Sequence, residues 1–155
     1  MNHKKSNKLS RIDQKEEVIT YLERLIYSLK SGQAKVELVK DRFVDRNRDQ
    51  KYTNRYTLHE LFPDEDLVEA LKRELSILRV EEYIETLKDI REKKRSDLRV
   101  FGKRYNRKDV YIKIRVELLN QIGCGGDNYI LVLSFHFAEK NFEDDDFPHK
   151  GKRGV

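Results

Sequence analysis

The stretch VYIKIRVELL (residues 110–119), followed by QIGCGGDN (121–128) and YILVLSFHFAE (129–139), decides the fold of this chain. Both arms are rich in β-branched and aromatic residues, and Gly123, Gly125 and Gly126 supply the backbone freedom of a reversal, so an antiparallel hairpin is expected. In the first arm Val110, Ile112, Ile114 and Val116 alternate with Tyr111, Lys113, Arg115 and Glu117, which predicts one buried face and one polar, mostly basic face. The second arm is apolar from Tyr129 to Leu133, as in a central strand covered on both sides, and then turns polar at Ser134 and His136. Polar residues at the end of a buried strand mark a candidate site. The functional question is whether Tyr111, Lys113 and His136 converge.

Upstream of the hairpin, LRVFGKRY (98–105) reads as a further strand leading through the basic turn NRKD (106–109). An amino-terminal helix is predicted over 13–31, with Val18, Leu22, Leu25 and Leu29 on one stripe and Gly32 at its end. Residues 34–44 carry Val36, Leu38 and Phe43 among charges and suggest an edge strand; 45–55 is a polar loop interrupted by Tyr52, with Tyr56 just beyond. Aromatics among basic residues can stack on bases or anchor a loop to a core. TLHEL (57–61) suggests a helical turn, and Pro63 and Asp64 open a helix carrying Leu67, Leu71, Leu75 and Leu78. Tyr83, Leu87 and Ile90 stand at helical spacing, which predicts a further helix reaching about Lys93. The fold class expected is α+β, with helices packed on a three- to four-stranded antiparallel sheet.

At 155 residues the chain has the length of one domain, expected over 12–150 with a disordered basic arm before it and a loose end after Pro148. No apolar run approaches the roughly 20 residues of a membrane span, and the start is basic without a secretory core, so a cytoplasmic location is the expectation. Cys124 stands alone and reads as a small turn residue; with no zinc spacing, no metal or cofactor is expected. The net charge is only +5, but residues 88–115 hold twelve Lys/Arg against four acids, a local +8. Such an excess suits a polyanion, of which nucleic acid is the commonest.

Phosphate-loop, HExxH and CxxC signatures are absent, which disfavours nucleotide hydrolysis and zinc chemistry. The run Glu143 to Asp146 lacks the alternation and glycine of a calcium loop and reads as an exposed acidic tail. The remaining constellation suits RNA cleavage without a metal. Attack by a 2′-hydroxyl on phosphorus needs a proton acceptor, a donor for the 5′-oxygen and cations for the phosphoryl charge. Tyr111 and Lys113 share a face because they are two apart on a strand, and His136 joins them if the register allows. Ser134 shares the His136 face, and Tyr83 is a further candidate. Lys103, Arg104, Arg107, Lys108 and Arg115 are the expected phosphate-binding cations.

The combination of VYIKI (110–114), VLSFHFAEKNF (132–142) and FPHK (147–150) resembles the MqsR-like branch of bacterial RNA-cleaving toxins, relatives of the RelE fold. TLHEL (57–61), EEYIE (81–85) and RVFGK (99–103) extend the resemblance over about residues 57–150. It implies a compact endoribonuclease of a type II toxin–antitoxin system, acting on messenger RNA, free or on the ribosome, and neutralised by a cognate antitoxin. It further implies that Tyr111 is a catalytic-type tyrosine, that Lys113 is the lysine of YIK, and that His136 fills a place held by lysine or histidine. The chain departs from the pattern after Tyr83, with Ile84 and Glu85 where a lysine is implied. Two other functions share this face: an RNA- or ribosome-binding module without catalysis, and a regulatory protein that recruits a partner through its edge strand and acidic tail.

Overall fold

The computed structural model describes residues 9–32, 34–39, 46–90, 95–117 and 128–151. In chain order the elements are β1 (Ser10–Arg11), α1 (Lys15–Ser31), β2 (Ala34–Leu38), α2 (Asn54–Leu61), α3 (Leu67–Leu75), β3 (Tyr83–Leu87), β4 (Leu98–Tyr105), β5 (Lys108–Glu117) and β6 (Asn128–Phe137). Single 3-10 turns lie at Gln50–Tyr52, Val80–Glu82 and Asp144–Asp146. One six-stranded sheet runs β1-β3-β4-β5-β6-β2, antiparallel throughout except that β2 lies parallel to β6. The fold is therefore α+β with a mixed sheet, larger than the three- to four-stranded antiparallel one expected.

Each helix follows from its ends and its stripe. Gly32, at φ 74°, closes α1 in the left-handed conformation that glycine adopts without a Cβ penalty. Thr53 accepts from the Tyr56 amide to start α2, and Asp66 accepts from the Glu69 amide to start α3. Val18, Leu22 and Leu25 of α1, Leu58 of α2, and Leu71 and Leu75 of α3 all bury into one core with Ile112, Ile114, Ile130, Val132 and Phe135 of the sheet.

The helix expected through Tyr83 is instead β3. Tyr83 and Thr86 are fully buried at a spacing of three because the ladder with β4 shifts register between Tyr83 and Glu85. A bulge adds one residue to the period of two and so imitates a helical repeat. Ile90, the third member of the supposed stripe, is 56% exposed. Ser10 and Arg11, expected within a disordered arm, pair with Leu87 and Thr86 as β1. Residues 1–8 of that arm, Phe43, the glycine run 123–126 and the last four residues lie outside the described residues.

The carboxyl-terminal segment is held beyond Pro148 as well. His149 stacks on Tyr83 with centroids 5.5 Å apart and bonds the Asp13 carbonyl at 2.7 Å, while Lys150 reaches Asp144 at 2.6 Å. Beneath His149, Asp13 accepts from Thr86 at 2.7 Å, from Arg11 at 2.9 Å and from Arg99 at 3.2 Å. This buried network ties the start of the chain, the sheet edge and the tail together.

The β4–β5 turn has only two residues, Asn106 and Arg107, both at positive φ (49° and 69°). That is the geometry a two-residue hairpin requires. On the other side, β2 is shorter than β6, and α2 covers the exposed remainder. The Asn54 side chain donates to the carbonyls of Val39 at 2.7 Å and Leu133 at 2.9 Å and accepts from the Phe135 amide at 2.9 Å. Thr57 accepts from the Phe137 amide at 2.8 Å. Two side chains thus stand in for a missing strand, which fixes the end of β6 where Ser134 and His136 lie.

Candidate functional site

The β5–β6 ladder pairs Tyr111 with His136 and Lys113 with Ser134, then shifts register between Lys113 and Ile114. Because Ile112 and Phe135 are paired and face the core, Tyr111, His136, Lys113 and Ser134 share the opposite face. The convergence expected of Tyr111, Lys113 and His136 is therefore present. The register shift also accounts for the second arm: Val132 and Phe135 both face the core three positions apart, and Ser134 is turned away from it.

The Tyr111 and His136 rings stack with centroids 5.5 Å apart and planes 22° from parallel. His136 is only 6% exposed, Ser134 is fully buried, and Tyr111 and Lys113 are half-buried. Nδ1 of His136 lies 3.0 Å from the Phe137 carbonyl, and Nε2 lies 3.4 Å from Nη1 of Arg48. A carbonyl only accepts and a guanidinium only donates. The partners therefore assign the proton to Nδ1 and leave the lone pair of Nε2 toward Arg48. The same Arg48 nitrogen lies 3.5 Å from the Tyr52 carbonyl, which anchors the loop to the imidazole.

Arg48 was not singled out by the sequence. It sits in a polar loop with no periodic pattern, and only the proximity of Tyr52 and several cations hinted that the loop mattered.

The other expected residues divide. Arg104, Arg107 and Lys108 are exposed at the β4–β5 turn, and Arg104 bonds the Arg107 carbonyl at 3.3 Å. Lys103 is half-buried, 3.9 Å from Glu82. Arg115 is a correction: it is 5% exposed, paired with Asp89 and bonded to the Ser96 carbonyl at 3.3 Å, so its charge is met inside the protein. Tyr83 is another. It is fully buried, donates or accepts at Thr86 over 2.6 Å and accepts from the Asp13 amide at 2.9 Å. Burial pushes its phenol up, and its role is in the core.

Beside the loop lies a pocket of about 300 Å³ lined by Lys51, Tyr52, Tyr56, Arg107, Lys108 and Phe137, among others. Tyr56 meets Phe137 edge-on at 6.4 Å, and Lys108 lies over the Phe137 ring at 5.0 Å. Among the described residues no group of three or more His, Cys, Asp or Glu is arranged to hold a metal, and no helix is long and apolar enough to cross a membrane.

The chain matches no family model, no curated protein and no solved structure.

Proposed function

We propose that the chain is a metal-independent endoribonuclease, acting as the toxin of a type II toxin–antitoxin pair on messenger RNA in the cytoplasm. The observation that carries this reading is the stacked Tyr111–His136 pair with Lys113 one step along the same face and Arg48 at Nε2. In the proposed reaction His136 Nε2 accepts the proton of a ribose 2′-hydroxyl, whose oxygen bonds the adjacent phosphorus. The bond to the 5′-oxygen breaks, and the Tyr111 hydroxyl donates its proton to that oxygen. The imidazolium then returns a proton to the phenolate. Lys113 and Arg48 stabilise charge on the phosphoryl oxygens, and Arg104, Arg107 and Lys108 hold flanking phosphates. The products are a 2′,3′-cyclic phosphate and a 5′-hydroxyl.

The test is incubation of purified protein with RNA in the presence of a chelator, with the new ends mapped. Cyclic phosphate ends are expected, with His136→Ala and Tyr111→Phe each slower by about a hundredfold or more. Equal rates in folded variants would overturn the assignment. Growth arrest on induced expression, relieved in the same variants, tests the toxin reading.

The 6% exposure of His136 favours one alternative, a module of this fold that binds RNA or the ribosome without cutting. It would retain RNA intact, with affinity falling steeply as salt rises.

A further inference from the structure

We infer that the pocket beside Arg48 seats one nucleobase of the RNA, next to the phosphate that reaches His136; this rests on RNA being the substrate. At about 300 Å³ the pocket is at the small end of ligand sites, enough for one ring system. Its chemistry is mixed in the way a nucleotide is mixed. Tyr52 and Tyr56 supply aromatic surface, and Lys51, Arg107 and Lys108 supply cations.

A site for phosphate alone would exclude carboxylates, yet Asp109 and Glu139 line this one, with Asn141 between acceptor and donor chemistry. Base edges present both donors and acceptors, so such a lining fits them. Asp109 is held in place by the Phe142 amide at 2.7 Å. Arg107 adds a further sign. It adopts φ 69° at the turn position where glycine is the easier choice, and it lines the pocket.

The pocket and the imidazole are joined by one side chain. A single Arg48 nitrogen lies 3.5 Å from the Tyr52 carbonyl and 3.4 Å from His136 Nε2. A base held in the pocket would thus lie against the same loop that reaches the imidazole through Arg48, with its own or the next phosphate extending toward the Tyr111–His136 pair. Seating of this kind supplies the orientation that an in-line attack needs.

The experiment is an amide chemical-shift titration of the full chain, as wild type and as His136→Ala. The probes are uridine 3′-monophosphate, adenosine 3′-monophosphate, ribose 5-phosphate and inorganic phosphate. Both nucleotides are expected to shift Tyr52, Lys108, Phe137 and Ala138, at least tenfold more tightly than ribose 5-phosphate, in both proteins. Tyr52→Leu is expected to weaken them by roughly tenfold or more. Both tyrosines pack partly against the core and Tyr56 also meets Phe137 edge-on, so Tyr52 is the chosen variant and Leu keeps its apolar contact.

Equal affinity for ribose 5-phosphate, or nucleotides that leave those amides unmoved, overturns the inference. Nucleotide binding here without any RNA cleavage leaves the base site standing and removes the nuclease. Cleavage of RNA with nucleotides bound elsewhere removes the base site alone.

Discussion

Tyr111 stacks on His136 across β5 and β6, with ring centroids 5.5 Å apart and planes 22° from parallel, so it offers the pair both a ring contact and a phenolic hydroxyl. These two contributions separate by substitution. Tyr111→Phe keeps the stack and removes the hydroxyl, so RNA cleavage is expected to fall by about a hundredfold while stability changes by less than about 0.5 kcal/mol. Tyr111→Ala removes the stack as well and is expected to cost about 1–2 kcal/mol in urea unfolding. A Phe variant with full activity would give Tyr111 a purely packing role.

Asn54 does the work of a strand residue. Its amide meets the Val39 and Leu133 carbonyls and the Phe135 amide at 2.7–2.9 Å. Asn54→Ala leaves these groups without their partner at a buried position, and about 2–4 kcal/mol of destabilisation is expected. Asn54→Asp replaces donors to two carbonyls by an anion and is expected to cost at least as much. Urea unfolding measures both, and loss of amide protection at Phe135 locates the effect.

Asp13 should make stability depend on acid. Burial pushes its carboxyl up, but hydrogen bonds from Thr86 and Arg11 and the charges of Arg99 and Arg11 outweigh it and hold the group below its ordinary value. A carboxyl lowered on folding contributes stability that is fully present above its unfolded value of about 3.9 and is lost as pH falls through the lower folded one. Wild type is therefore expected to lose stability below about pH 4 more steeply than Asp13→Asn. Unfolding midpoints measured from pH 2 to 7 test this; parallel curves would rule it out.

Gly102 is a steric gate for the carboxyl-terminal segment. A Cβ there would stand 2.6 Å from the Phe142 ring and 3.0 Å from Ile84. Gly102→Ala is expected to displace Phe142 and to cost about 1–2 kcal/mol. In Phe142→Ala the same change should cost much less, and the double-mutant cycle reads the coupling.

The two hairpin arms, β4, α1 and α3 were legible because each follows a local rule: alternation in Val110 to Val116, a basic turn at 106–109, and a leucine stripe closed by Gly32 or preceded by Pro63 and Asp64, whereas α2 was legible only as a helical turn over 57–61. β3 was not legible. Tyr83, Leu87 and Ile90 stand at helical spacing, but the strand character of the segment is set by pairing with neighbours β1 and β4.

Sequence alone determined that Tyr111 and Lys113 share a face, since a strand fixes that through its period of two. Only tertiary structure decided that His136 stands opposite Tyr111, that Arg48 arrives from 88 residues away, and that Arg115 is consumed by Asp89. Register across strands, loop return and ion pairing depend on contacts between distant segments, and no local pattern encodes those.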